Sequence, residues 1–137
     1  MSGLPGQEER LTPIATPSIS PTQVAYMLVA NNDTAEVHLD EAFARLAGLP
    51  GAVVPGSFVL GYMGQLLTRR FGFAAIRSLD VRFVSAVFLR EPLSVAGAVR
   101  SSPEGEDTVV DLEVSSGARV VATGVAKIAR QSADASR

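Results

Sequence analysis

The spacing of hydrophobic residues changes along the chain, from a helical period in the first half to segments of alternation in the second. The alternation is clearest at residues 78–83, where Leu79, Val81 and Phe83 are separated by polar neighbours. A period of two is typical of a strand with one buried face. The pattern therefore predicts helices first and a sheet second.

Two short helices are predicted before the longest apolar segment. Residues 20–23 combine an N-cap serine, a proline and a capping-box glutamine, which predicts a helix ending near residues 31–32. Asp40 is expected to cap a second helix over residues 41–47, with Gly48 as its left-handed stop. Phe43 and Leu46 lie three apart, on one face of this second helix.

The third predicted helix begins after Pro55 and is apolar on nearly every side over residues 56–67. A helix of this kind is expected to be buried all round. Gly61 and Gly64 each cost about 1 kcal/mol of helix propensity relative to alanine. Either a neighbouring backbone passes close to them or they are simply tolerated.

Three further strands are predicted after the first alternating segment, at residues 93–100, 108–115 and 118–129, with short turns between them. Residues 120–126 are apolar on both faces, so this strand should be central or covered by a partner subunit. Helices followed by an antiparallel meander predict an α+β domain in which the sheet wraps the buried helix.

Length and composition fit one domain, since the chain has 137 residues, 47% of them hydrophobic and 19% charged. Both ends are polar, small and turn-prone. We expect a flexible tail at residues 1–10, one domain at 11–130 and a second flexible tail at 131–137. A small domain exposes much of its surface, so a second copy would help to bury it.

Charge and composition argue against several partners. The formal net charge is -2, and no Lys or Arg cluster with interleaved aromatics suggests nucleic-acid binding. The chain has no cysteine for a disulfide or a thiolate metal site. It also shows no signal peptide and no apolar run near the roughly 20 residues of a membrane span. We therefore expect a soluble cytoplasmic protein without nucleic-acid or membrane partners.

The candidate chemistry lies in the loop between the first two predicted helices. His38 is the single histidine of the chain, and Asp33 precedes it by five residues. A carboxylate and an imidazole on one loop can form an acid/base pair. The alternative is a solvated surface histidine beside Glu36 and Asp40. A lone histidine lacks the convergent ligands that zinc requires, so no metal site is expected.

The same residues carry a resemblance to a known family. Asp33, His38 and Asp40 share the spacing of the motif Asp-x-Asn-Pro-x-His-x-Asp. Residues 51–56 correspond to Gly-x-x-x-His-Gly at the start of a central helix, and residues 79–87 to a strand before a final hairpin. On these features the chain resembles the MaoC-like hotdog proteins, which include (R)-specific enoyl-CoA hydratases and related acyl-thioester dehydratases. The resemblance spans about residues 20–129.

The resemblance implies an α+β hotdog fold, with an antiparallel sheet wrapped around a central buried helix. It also implies a hydro-lyase that reversibly hydrates 2-enoyl thioesters without a cofactor. Asp33 would take a proton from the attacking water, and His38 would give or take the proton at the α-carbon. The N–H of Gly56, flanked by Pro55 and Ser57, would bind the oxyanion and substrate.

Two departures from the family motifs keep other functions open. Ala35 stands where the motif has asparagine, and Pro55 stands where it has histidine. These changes are compatible with a non-catalytic hotdog subunit or an acyl-binding partner in a heteromeric dehydratase. A hotdog thioesterase ranks lower, because residues 56–67 contain no acidic side chain to activate water.

The expected partners are an acyl-CoA or acyl-carrier-protein thioester and a second copy of the chain in a homodimer. Fatty-acid or polyketide metabolism would suit this chemistry. Scattered arginines could meet the phosphates of such a substrate or could simply be surface residues. They are Arg69, Arg70, Arg77, Arg82 and Arg90.

Overall fold

The computed structural model describes residues 7–100 and 102–130, and it contains one sheet and three α-helices. The predicted C-terminal tail and residues 1–6 of the N-terminal one lie outside the described residues. The helices are α1 (Pro21–Asn31), α2 (Glu41–Leu46) and α3 (Gly56–Phe71). The strands are β1 (Gln7–Arg10), β2 (Ile14–Ala15), β3 (Ile76–Phe83), β4 (Ser94–Arg100), β5 (Thr108–Ser116) and β6 (Arg119–Ile128).

The strands form one antiparallel sheet in the order β1-β4-β5-β6-β3, and β2 also pairs with β4. β6 therefore lies between two neighbours, which confirms that the strand with two apolar faces is central. β3 lies at one edge of the sheet, where it pairs with β6 alone. Among the described helices, none is long and apolar enough to cross a membrane.

α3 packs against the sheet and contacts β3, β4, β5 and β6. Its buried side chains meet the inward-facing residues of these strands in one hydrophobic core. The largest fully buried side chains include Met63 and Leu67 of α3 and Ile128 of β6. Burial of apolar surface at this interface is the main force that holds the helix in the curve of the sheet.

The predicted helix caps are confirmed. Ser20 accepts a hydrogen bond from the Gln23 N–H, and the Gln23 side chain accepts one from the Ser20 N–H. Asp40 accepts one from the Phe43 N–H at 3.1 Å. Gly48, with φ of 90°, follows the end of α2. The sequence therefore predicted the helix starts correctly where a side chain accepts a hydrogen bond from a free backbone N–H.

α3 departs from the prediction of complete burial. Leu60 is 41% exposed, and Gly61 is also exposed. A Cβ added at Gly61 or Gly64 would meet nothing within 4 Å, so no neighbouring backbone crosses the helix there. The alternative of simple tolerance fits both glycines. The face formed by Phe43 and Leu46 in α2 is exposed as well.

Two strands before α1 were absent from the sequence prediction. β1 pairs with β4, which corrects the expected flexible tail at residues 7–10. Its sequence, QEER, has no apolar alternation, so only its pairing partner reveals it. β2 is two residues long and also pairs with β4. Pairing with β4 supplies the hydrogen bonds that local sequence could not indicate.

Candidate active site

The loop after α1 places Asp33 through backbone hydrogen bonds. Asn32 has the left-handed conformation, with φ of 52°, which asparagine tolerates better than most residues. The Asp33 N–H then donates to the Leu28 carbonyl at 2.9 Å. Oδ1 of Asp33 accepts from the Ala35 N–H at 2.9 Å. This turn fixes the carboxylate through Oδ1, and the other oxygen, Oδ2, takes no part in the turn.

A short 3₁₀ helix, Glu36–His38, brings the imidazole back towards Asp33. The distance from His38 Nε2 to Asp33 Oδ2 is 3.6 Å. The His38 side chain is 16% exposed and that of Asp33 is 36% exposed. The structure thus brings the two predicted residues together in a half-buried position, rather than leaving His38 as a solvated surface side chain.

The orientation of the imidazole is set by a backbone carbonyl. His38 Nδ1 lies 2.6 Å from the Val53 carbonyl oxygen. A carbonyl can only accept, so Nδ1 carries the proton in this contact. Nε2 is then the nitrogen left to exchange protons, and it is the one that faces Asp33.

The segment that carries this carbonyl is held on both sides. The Val53 N–H donates to the Val37 carbonyl at 3.0 Å, and the Val54 N–H donates to the Val87 carbonyl at 2.7 Å. The Ala52 carbonyl accepts from the Leu89 N–H at 3.2 Å. Residues 52–54 therefore connect the histidine loop to the segment that follows β3.

The other predicted site residues lie at the start of α3. Gly56 is the first helical residue, and Pro55 precedes it without a side-chain cap. Ser57 Oγ accepts a hydrogen bond from Asn31 Nδ2 at 2.9 Å, which joins α3 to the end of α1. Ser57 therefore has a structural contact that its predicted role in substrate binding did not include.

His38 and Gly56 line one cavity of about 460 Å³. Asp33, Pro55 and Ser57 are not among its lining residues, although Asp33 reaches it through His38. Most of the wall is apolar. The remaining lining residues are Val53, Val54, Val59, Phe83, Val84, Ser85, Ala86 and Val87.

Phe83 is the main feature of this cavity that the sequence did not indicate. A Cβ built on Gly56 would lie 2.8 Å from Cζ of the Phe83 ring. The ring therefore rests directly on Gly56, although Phe83 is 52% exposed. Its place in the alternating pattern suggested a buried core residue, and no local signal marked it as part of a site.

Other candidate chemistry is limited in the described part of the chain. There, no group of three or more His, Cys, Asp or Glu residues is placed to hold a metal ion. Several of the arginines considered for phosphate binding form ion pairs instead. These pairs are Arg70 with Glu9, Arg77 with Asp107 and Arg90 with Glu41.

Comparison with known proteins identifies relatives at the level of family and fold. Residues 5–122 match the family described as MaoC-like domain. Comparison with curated proteins gives no match. The structural matches include an (R)-hydratase from A. caviae involved in PHA biosynthesis, with a TM-score of 0.81 and 17% identity over 96% of this chain and 100% of that one.

Two further structures have the same architecture. The ChsH1-ChsH2 complex from Mycobacterium tuberculosis matches with a TM-score of 0.80 and 17% identity, over 93% of this chain and 100% of that one. R-hydratase PhaJ1 from Pseudomonas aeruginosa matches with a TM-score of 0.77 and 18% identity, over 88% and 78%. These identities support the fold alone, and the predicted hotdog fold is confirmed.

Proposed function

The chain belongs to the MaoC-like dehydratase family, and from this premise we propose that it hydrates 2-enoyl thioesters and, in reverse, dehydrates 3-hydroxyacyl thioesters. The observation that carries the proposal is the position of His38. Its Nδ1 is fixed by a backbone carbonyl, while its Nε2 faces Asp33 at 3.6 Å. A general acid/base pair needs this combination of a fixed ring and a free nitrogen.

The proposed reaction starts with an ionised Asp33 and an imidazolium at His38. Asp33 takes a proton from water as the water oxygen bonds to the β-carbon of the substrate. His38 gives its Nε2 proton to the α-carbon, so the two groups together add one water across the double bond. The proton taken up by Asp33 then returns to Nε2 through a bridging water molecule, because the 3.6 Å separation of Oδ2 and Nε2 is too long for direct transfer.

Gly56 supplies the third proposed element. Its N–H lies at the start of α3, a 16-residue helix whose positive end favours negative charge. In the proposal this N–H stabilises the enolate-like oxygen of the thioester while the α-carbon changes hybridisation. Gly56 shares the cavity with His38, which places both groups beside one bound substrate.

The two departures from the family motif are compatible with this mechanism. Ala35 has no side-chain amide, but its backbone N–H donates to Asp33 and orders the same loop. Pro55 lacks an N–H and leaves that of Gly56 in place. The Pro55 carbonyl accepts from the Phe58 N–H at 3.1 Å, so the first turn of α3 forms without a side-chain cap.

A non-catalytic subunit is the second candidate function. It is supported by the same two departures and by the structural match to ChsH1-ChsH2, which is a complex of two components. A thioesterase has less support, because no acidic residue occurs in α3. The substrate carrier, coenzyme A or acyl-carrier protein, and a role in fatty-acid or polyketide metabolism in the cytoplasm remain part of the proposal.

The first test is the absorbance of the enoyl-thioester band with crotonyl-CoA and longer 2-enoyl-CoA substrates. We expect the absorbance to fall on addition of the wild-type protein, without release of free thiol. A thiol reagent in a parallel sample separates hydration from thioester hydrolysis. A folded protein that leaves every thioester unchanged would instead favour the subunit role.

We also propose that the protein forms a homodimer through the free edge of β3. This edge strand is eight residues long and pairs on one side only among the described strands. A long strand edge of this kind is normally covered, because it otherwise promotes uncontrolled pairing. Light scattering is expected to give twice the mass of one chain, and a monomer at every concentration would contradict the proposal.

A further inference from the structure

Arg119, the first residue of β6, makes four short side-chain hydrogen bonds to the segment that follows β3. Nη1 donates to Ser85 Oγ and to the Ala86 carbonyl, both at 2.6 Å. Nη2 donates to the two carboxylate oxygens of Glu91, at 2.8 and 2.7 Å. One guanidinium thus fixes both ends of residues 85–91.

This cluster differs from an ordinary surface ion pair. The side chains of Arg119 and Glu91 are 38% and 29% exposed, and the Phe88 N–H also donates to Glu91 at 3.2 Å. Charge-assisted bonds with paired donors are stronger and more directional than neutral ones. The guanidinium therefore defines the shape of the segment as well as its charge balance.

The segment needs such a constraint. Arg90 has φ of 68°, a left-handed conformation that residues other than glycine rarely adopt. At the other end, the Val84 and Ser85 N–H groups both donate to the Val121 carbonyl of β6. The chain turns sharply between these points, and Arg119 crosses the turn.

The segment is also connected to the proposed acid/base pair. Residues 84–87 form one wall of the cavity that contains His38. The Val87 carbonyl accepts from the Val54 N–H at 2.7 Å, and the adjacent Val53 carbonyl accepts from His38 Nδ1 at 2.6 Å. Arg119 is therefore linked to the imidazole by three hydrogen bonds, which are joined by the backbone between residues 86 and 87 and between residues 53 and 54.

We propose that Arg119, with Glu91, is a positioning residue that orients the His38 imidazole through residues 85–87 and 52–54. The inference rests on the proposed function for its effect on catalysis, but the orientation of the ring is independent of it. Loss of the guanidinium lets the 85–91 segment relax, which displaces the Val87 and Val53 carbonyls and frees the ring to rotate or change tautomer.

The first test is kinetic and compares Arg119→Met with Arg119→Lys and Glu91→Gln. We expect kcat to fall about five- to tenfold in Arg119→Met with little change in KM, because small displacements of a catalytic group slow the chemical step. Arg119→Lys should recover part of the rate, since lysine keeps the charge but not the paired donors. Glu91→Gln should also lower kcat, by a smaller factor than Arg119→Met.

The matched control is Arg100→Met. Arg100 also forms a bidentate pair, with Asp111 at 2.8 and 2.6 Å, between neighbouring strands of the same sheet. The hydrogen bond and charge of Asp111 raise the pKa of Arg100 above its ordinary value. No hydrogen bond found within residues 7–100 and 102–130 joins this pair to His38, so its loss should change kcat less than twofold. Thermal unfolding of all variants shows whether Arg119→Met and Arg100→Met lower the melting temperature by similar amounts.

The second test measures directly which ring nitrogen of His38 carries the proton. His38 is the only histidine of the chain, so its imidazole nitrogen signals in ¹⁵N NMR need no assignment. In the neutral imidazole of the wild type we expect the proton on Nδ1, where it is donated to the Val53 carbonyl, and none on Nε2. In Arg119→Met both neutral tautomers should appear, whereas Arg100→Met should match the wild type.

The two tests separate the inference from the proposed function. Wild-type protein without thioester activity would overturn the hydratase proposal, and the positioning role would still be supported if Arg119→Met changed the histidine signals as expected. Identical histidine signals in wild type, Arg119→Met and Glu91→Gln would overturn the positioning role, whatever the rates. If Arg119→Met does not fold, Arg119→Lys and Glu91→Gln decide the question by the same signals.

Discussion

Asp33→Asn and His38→Gln are each expected to lower kcat for enoyl-thioester hydration by about 10²- to 10⁴-fold, the usual range for loss of a general acid or base. Asparagine keeps an oxygen that can accept from the Ala35 N–H, as Oδ1 does now. Glutamine keeps an amide N–H for the Val53 carbonyl. Neither replacement carries a proton through the reaction, and initial rates with crotonyl-CoA measure the loss.

Glu36→Gln is the control for this pair. Glu36 lies in the same loop as His38 and is exposed, so its neutralisation should leave the rate within about twofold, as expected for a surface change. The double variant of Asp33 and His38 should lose little more than the weaker single variant, because the two groups act as a unit. Single variants that keep the wild-type rate would show that Asp33 and His38 carry no proton in the reaction and hold the loop together instead.

The pairing of Asp33 with His38 could be predicted because it is local. Both residues lie within six positions of sequence, and the helix ends on either side carry recognisable caps. The second half of the site could not be found this way. The Val53 carbonyl and residues 84–87 come from segments that are distant in sequence, and only the folded chain brings the carbonyl to the histidine and residues 84–87 to the same cavity.

The same difference between local and long-range contacts explains which parts of the fold could be predicted. Alternation in β3 and β5 and the apolar run in β6 indicated the sheet, since each of these strands packs against α3. β1 has no such face, and its position depends on a free edge of β4 that the local sequence does not describe. Composition alone also could not distinguish a helix with one exposed side from a fully buried one, as Leu60 demonstrates.

Gly56→Ala is expected to lower kcat/KM by about 10- to 100-fold, an effect within reach of a displacement near 1 Å at a reacting centre. The φ of Gly56 lies outside the left-handed region, so alanine suits the backbone and keeps the N–H. The added Cβ would approach Phe83 Cζ to 2.8 Å and Cε1 to 3.0 Å. The exposed ring therefore moves, and it moves at the wall of the cavity that the substrate would occupy.

The double variant Gly56→Ala/Phe83→Ala separates this steric effect from damage to the oxyanion contact. If the ring is the cause, the double variant should lie within about threefold of Phe83→Ala alone, which corresponds to a favourable coupling of at least about 0.7 kcal/mol between the two sites. If the alanine instead displaces the N–H, the two losses should simply multiply. The expected rescue would show that glycine stands at position 56 because an aromatic ring covers it, and that Phe83 limits the space beside the proposed oxyanion contact.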